Sequence, residues 1–416
     1  MIQEAIVLAG GFGTRLRNAV PNLPKAMAPV NERPFLSYII NYLRLQGIER
    51  FVFSLGYKAE AIESWLKKYY PALDYTTVVE SEPLGTGGGL QLALQECTTP
   101  HVLAANGDTL FKIKAWDFEK VHVANRSECT LALKPMQPIT RYGIVELGLG
   151  QVVLSFKEKG VYNQGLINGG VYLLDREQFQ KRGLPKSFSF EKDYLEKFSS
   201  DKKFFGSIQE GYFIDIGIPE DYEAAQKDFQ KPMPALSQVD KSWTLFLDRD
   251  GVLNDERLGK YVLNWEEFRF SEGVLQAFRI LGQKFGRIII ITNQRGVGKA
   301  LMTEDHLRHI HQEMEQQVTA AGAHINKIYY CTSTNDTCFH RKPNPGMALQ
   351  AFRDFPDIDP DKTIMVGNKP SDMQFGRAAG VHTVFVTTTN PNEPFPHPDI
   401  DFRFPNLLAF AEALQS

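Results

Sequence analysis

The sequence is short of cysteine, of net charge and of long apolar runs, and each shortage narrows what the chain can be. Four cysteines in 416 residues do not suggest a disulfide framework, so a reducing cytoplasm is the expected setting. A formal net charge of −3 gives no basic field for nucleic acid. No apolar run approaches membrane-spanning length, and Met1-Ile2-Gln3-Glu4 lacks the charged and apolar regions of a signal peptide. No repeat or low-complexity tract is visible. What remains is a soluble globular composition, 43% hydrophobic and 23% charged, long enough for two or three domains with their own cores.

Two alternating patterns fill that length. Ala5–Gly10, Phe51–Gly56, Tyr75–Glu80 and His101–Gly107 read as buried strands, with helices over Phe35–Gln46, Lys58–Lys68 and Gly88–Gln95. Such alternation predicts parallel β-α-β units and a doubly wound sheet. Strands crowd together between Cys129 and Asp175, which predicts a mixed-sheet extension, and Glu220–Phe229 reads as a closing helix. Lys231-Pro-Met-Pro-Ala-Leu-Ser breaks any periodicity, so residues 231–242 are expected to link a domain over 1–230 to one over 243–416. The second pattern places strands at Thr244–Asp248, Arg287–Thr292, Lys327–Cys331, Thr363–Gly367 and Thr383–Thr387. A helix capped by Thr303 should end before Gly322.

The chemistry of the first half gathers around Leu8-Ala-Gly10-Gly11-Phe-Gly13-Thr14-Arg15, with Pro24-Lys25 downstream. Glycines at the carboxyl end of a buried strand let main-chain N–H groups approach an anion, and Arg15 and Lys25 add fixed cations. The spacing matches neither G-x-G-x-x-G nor a P-loop. Asn106-Gly107-Asp108 also sits at a strand end, where open α/β sheets place their ligands, and Asp215 follows another apolar run. Two acids converging on one divalent cation suit a nucleoside triphosphate bound through Mg2+. In Glu80-Ser-Glu-Pro-Leu-Gly85-Thr86 the glycine permits a tight turn beside a base and ribose. Glu80 can accept from guanine N1–H and N2–H₂, or be a solvated surface acid.

This set, L-A-G-G-x-G-T-R-L with P-K, N-G-D-T and D-I-G-x-P-E-D-Y, resembles the sugar-1-phosphate nucleotidyltransferases over almost all of residues 1–230. The resemblance is closest to the guanylyltransferases of D-glycero-D-manno-heptose 1-phosphate, with the mannose-1-phosphate enzymes nearby. It implies a Rossmann-like mixed sheet, GTP as donor and Mg2+ on Asp108 and Asp215. It also implies in-line attack by a sugar-phosphate oxygen on the α-phosphorus. Arg15 and Lys25 would stabilise the departing pyrophosphate, Lys159 would meet the sugar phosphate, and Glu158 and Asn168 would meet its hydroxyls.

Asp248-Arg-Asp250-Gly organises the second half. Its spacing resembles motif one of the haloacid-dehalogenase-type phosphatases, which implies that Asp248 attacks phosphorus while Asp250 protonates the leaving oxygen and then activates water. Thr292, Asn293 and Gln294 offer a hydroxyl and amides after the next strand, and Arg341-Lys342-Pro-Asn-Pro-Gly offers cations. The segment resembles the haloacid-dehalogenase-type phosphatases, nearest to the heptose 1,7-bisphosphate 7-phosphatases. That resemblance implies a second Rossmannoid domain and Mg2+ at Asp248, Asp250, Asn368 and Asp372. Two departures stand out. Asn368 occupies the place of a Mg2+-binding aspartate, with Asp372 as the candidate to compensate. A zinc loop of the relatives is short here, and Cys331, Cys338 and His340 keep only part of its ligand set, so a metal-free loop is the simpler reading against Zn2+.

The sequence therefore predicts a bifunctional cytoplasmic enzyme making GDP-heptose from GTP and heptose phosphates, its partners small molecules, its oligomeric state open. The alternatives are a hexose-1-phosphate nucleotidyltransferase joined to a histidinol-phosphate-type phosphatase, or to an inactive phosphatase-like binding module.

Overall fold

The computed structural model describes residues 2–11, 20, 23–157, 159–230, 233–257 and 259–415. Gly13, Thr14, Arg15 and Glu158 lie outside the described residues. The chain divides into two compact units, Met1–Gln230 and Lys231–Ser416.

In the first unit the strands are β1 (Glu4–Ala9), a short hairpin of β2 (Pro29–Val30) and β3 (Arg33–Pro34), β4 (Arg50–Leu55), β5 (Asp74–Val79), β6 (His101–Asn106) and β7 (Thr109–Phe111). They continue as β8 (Cys129–Met136), β9 (Ile144–Leu147), β10 (Val153–Lys157), β11 (Gly165–Asp175), β12 (Phe204–Ile208) and β13 (Phe213–Asp215). The main sheet runs β10-β9-β11-β6-β1-β4-β5, with β8 beside β11 and β12 beside β8. β1 pairs in parallel with β4 and β6, and β11 is antiparallel to β6, so the sheet is mixed. Its central strands are apolar on both faces because helices cover both. Phe35, Ile39, Leu43, Phe51 and Phe53 build the core on one side; Leu90, Leu94, Tyr172, Phe190 and Tyr194 build it on the other.

The helix expected from Gly88 begins at Gly85. Three consecutive glycines disfavour helix locally, but Gly87 N–H bonds to Phe188 O and the segment packs against a π-helix over Phe190–Glu196. Tertiary contact decides that start.

The second unit has an all-parallel six-stranded sheet ordered β16-β15-β14-β17-β18-β19. Its strands are β14 (Thr244–Leu247), β15 (Arg287–Asn293), β16 (Lys327–Cys331), β17 (Thr363–Gly367), β18 (His382–Val386) and β19 (Phe402–Phe404), the last too short to be read from sequence. Thr303 caps the helix Glu304–Ala320 by accepting from His306 N–H, and Gly322 follows at φ +90°. The segment expected as linker is only partly so: Leu236 and Val239 pack into the second unit's core.

Both sheets reverse their strand order at a central strand. β1 has β4 on one side and β6 on the other, and β14 has β15 and β17. The loops at the carboxyl ends part there and leave a crevice.

Candidate functional sites

In the first crevice, Gly10 and Gly11 follow β1, and Gly56 follows β4. A Cβ on Gly56 would lie 2.8 Å from Gly10 O, so the loops meet through bare backbone. Asp108 follows β6. The β7–β13 pairing sets Asp215 opposite Thr109 and thereby brings the second acid beside the first, Ile216 N–H bonding to Asp108 O at 3.0 Å. Lys25 Nζ lies between them, in a short ion pair with Asp108 Oδ2 and 3.4 Å from Asp215 Oδ1. Two part-buried carboxylates on one ammonium form a site that a divalent cation also fits in charge.

Glu80 enters from the end of β5. Its Oε2 accepts from Leu84 N–H at 3.0 Å, and burial raises its pKa against that hydrogen bond. A Cβ on Gly89 would sit 2.5 Å from Glu80 Oε1 and 2.9 Å from Ser54 Oγ, so any larger residue there must displace Glu80. Leu8, Gly10, Gly11, Lys25, Glu80, Gly85, Thr86, Asp108, Lys159 and Asp215 line one cavity of about 580 Å3. Lys159 and Asp215 also line a second cavity of about 580 Å3, with Tyr142, Phe156, Asn168, Glu191, Lys192 and Glu196. Asn168 is tied back into the sheet: its Nδ2 donates to Tyr172 Oη and its Oδ1 accepts from Gly170 N–H. The π-helix acids and Tyr142 carried no sequence signal separating them from surface residues.

In the second crevice, Lys342 is buried and bridges Asp248 Oδ1 and Asp372 Oδ1, both at 2.7 Å, while donating to Ile291 O. Asn293 holds the Lys342 backbone from both sides, accepting from its N–H and donating to its C=O. Burial pushes Asp248 up to about 6 against the pull of Lys342. Asp250 is gripped by Arg249, fully buried, and by the amides of Gln294 and Asn254. Burial raises its pKa, but these donors outweigh that and hold it below the usual range. Thr292 Oγ1 accepts from the same Gln294 amide.

Asp372 puts one oxygen on Lys342 and the other on the N–H groups of Asn368 and Lys369, so it anchors the lysine and the start of helix Pro370–Ala378. Arg341 turns away to Asp336 and Ser333 O. The Cys331 and Cys338 thiols are neighbours, and His340 Nδ1 is buried with no hydrogen-bond partner among the described residues. Among the described residues, no group of three or more His, Cys, Asp or Glu is arranged to hold a metal ion. A Mg2+ site here would combine acids with neutral oxygen. Asp248 and Asn368 leave adjacent strands at the same edge, and Asn368 Oδ1 is buried with no hydrogen-bond partner among the described residues, so that pair fits a cation. Glu256, Thr389 and Lys369, clustered on Asn368, were not singled out by sequence. No helix among the described residues is long and apolar enough to cross a membrane.

Residues 4–231 match the nucleotidyl transferase family, and residues 339–395 the HAD-hydrolase-like family. The first unit is 47% identical over 227 residues to D-glycero-alpha-D-manno-heptose 1-phosphate guanylyltransferase of Aneurinibacillus thermoaerophilus, covering 55% of this chain and 98% of that protein. It superposes on the crystal structure of HddC from Yersinia pseudotuberculosis complexed with GMP-PN with a TM-score of 0.50 and 33% identity, covering 55% of this chain and all of that one. The second unit is 38% identical over 133 residues to D-glycero-alpha-D-manno-heptose-1,7-bisphosphate 7-phosphatase of Mycobacterium bovis, covering 32% of this chain and 70% of that protein.

Proposed function

The chain belongs to the nucleotidyl transferase family through its first unit and to the heptose-bisphosphate phosphatases through its second, and from that premise we propose that it makes GDP-heptose in two steps. The second unit removes the 7-phosphate of D-glycero-D-manno-heptose 1,7-bisphosphate. The first unit then joins the resulting heptose 1-phosphate to GMP from GTP and releases pyrophosphate. One observation carries the reading: the product of one relative's reaction is the substrate of the other's, and this chain holds both units.

In the second unit, Asp248 attacks the 7-phosphorus as the phosphorus–oxygen bond to the sugar breaks. Asp250, held ionised by Arg249 in the free enzyme, takes up the proton that the substrate's phosphate monoanion brings and passes it to the leaving oxygen. The same carboxylate then takes a proton from the water that splits the aspartyl phosphate and returns Asp248. Lys342 keeps Asp248 aimed and its charge balanced. Mg2+ held by Asp248 and Asn368 would offset repulsion between carboxylate and phosphate dianion. In the first unit, Glu80 reads the guanine edge, and Lys159, at the wall shared by both cavities, binds the sugar phosphate. Lys25, with Arg15, neutralises the departing pyrophosphate. Asp108 and Asp215 would hold a second Mg2+ that screens the triphosphate.

The test is one coupled assay with heptose 1,7-bisphosphate, GTP and Mg2+, following phosphate and GDP-sugar together. Asp248→Asn should stop both products, and Asp108→Ala only the GDP-sugar. GDP-sugar formed solely from added heptose 1-phosphate would refute the phosphatase assignment; no product from either would refute the heptose.

A further inference from the structure

Asn368 stands where the phosphatase reading calls for an acid, and the charge it lacks lies one hydrogen bond away. Asn368 follows β17 and is completely buried. Its Nδ2 donates to Glu256 Oε2 at 3.0 Å and to Thr389 Oγ1 at 2.8 Å. An ionised carboxylate only accepts, so Glu256 fixes which end of the amide faces it and turns Oδ1 the other way. That oxygen has no hydrogen-bond partner among the described residues, a costly state for a buried carbonyl and one that a cation relieves. Asp248 is at hand, its N–H bonding to Val366 O across the β14–β17 pair. The second oxygen of Glu256 meets Lys369 Nζ at 2.5 Å, so this carboxylate is held at both ends and is only 16% exposed.

We propose that Glu256 is a positioning residue that supplies, through the Asn368 amide, the negative charge an aspartate would have brought directly to the Mg2+. The inference rests on the phosphatase reading of this unit. A carboxylate accepting from an amide N–H polarises the amide and makes its oxygen a better donor to a cation. The converse constraint is as strong. An aspartate at 368 would set its own oxygen about where Nδ2 now lies, 3.0 Å from Glu256, and two carboxylates so close do not both ionise. A carboxylate at 256 therefore suits an amide at 368 and disfavours a second ionised acid there.

Mg2+ affinity tests this directly. Titration calorimetry with Mg2+ alone is run on the full chain carrying Asp108→Ala and Asp215→Ala, which removes the first unit's acids. In that background Glu256→Gln should weaken Mg2+ binding by about tenfold or more, as loss of a ligand's hydrogen-bond partner does. Asn368→Asp alone should bind no tighter than the parent. The exchange Glu256→Gln with Asn368→Asp should restore the parent's affinity, because the glutamine amide can donate to the new aspartate. The exchange also serves as the test if Glu256→Gln alone does not fold. Unchanged affinity in Glu256→Gln, or an exchange variant no better than the weaker single variant, overturns the proposal. Phosphate release from heptose 1,7-bisphosphate is followed on the same changes at 256 and 368. Its absence with the affinity pattern intact sinks only the substrate assignment, while release with unaltered affinity sinks only this inference.

Discussion

Replacing Lys342 by methionine tests the electrostatics of the second site most sharply. The ammonium lies 2.7 Å from each of two buried carboxylates, so its removal leaves Asp248 and Asp372 facing one another without a counter-ion. At an effective dielectric near 20, two unit charges about 5 Å apart repel by roughly 3 kcal/mol. Breaking a buried pair by removing one member typically costs about 3–5 kcal/mol. That is a large share of the roughly 5–15 kcal/mol that holds a domain together. The sign with pH follows from Asp248, whose folded pKa is already about 6 against 3.8 for an ordinary aspartate. A carboxyl raised on folding is best tolerated below its unfolded pKa and costs stability as pH rises through the folded one. The variant raises it further, so its deficit should be near the full 3–5 kcal/mol at pH 7.5 and shrink by at least about 1 kcal/mol at pH 5.5. Urea unfolding of the second unit, followed through Trp243 and Trp265 with Trp65 and Trp116 changed to Phe, reads both values. A loss under about 1 kcal/mol, or one independent of pH, would refute the account of a buried triad.

Three other expectations follow from the first unit. Glu80→Gln should lower kcat/KM for GTP by about tenfold to a hundredfold and leave ATP unaffected, since a hydrogen bond to a charged group is worth about 1.5–3 kcal/mol; equal losses would reject base reading. Gly89→Ala should mimic it in the GTP assay by displacing Glu80, and cost about 1–3 kcal/mol in urea unfolding from overpacking. His122 is buried with Nδ1 on Thr130, and burial, aided by His101, pushes it down to about 3. A histidine kept neutral by folding costs stability once pH falls below its unfolded value near 6.5, by about 2 kcal/mol at pH 5. His122→Phe should flatten the first unit's stability between pH 7 and pH 5, and an unchanged slope would count against burial as the cause.

The fold was legible wherever one local signal sufficed. Apolar runs gave strands such as Lys327–Cys331 and Thr363–Gly367 to the residue, because buried parallel strands need little else. The helix Val274–Lys284 buries Val274, Ala277, Phe278 and Leu281 at helical spacing, a signal the sequence also carries. Sites were legible as motifs and illegible as networks. Asp248 and Lys342 announce themselves by spacing, whereas the ion pair from Asp372 to Lys342 joins residues 30 apart and shows only in the fold. Glu256 reads as one more charge in a polar loop, and only the packed Asn368 amide distinguishes it from a solvated acid. Tyr142, Glu191 and Glu196 reach one cavity from distant segments, which no short window of sequence can register.

Lys25 and its two acids also carry a consequence for how the first unit is made. The lysine meets Asp108 after 83 further residues and Asp215 only after 190. A ribosome adding about 5–20 residues per second needs roughly 10–40 s to cross that interval. Throughout it, the glycine turn and its lysine are already in the nascent chain while the second acid is not. The β7–β13 pairing that delivers Asp215 thus cannot form before residues 213–215 have been made. A chain stalled or cut before residue 213 would hold most of the sheet and still lack its site, so competence arrives only with the unit's completion.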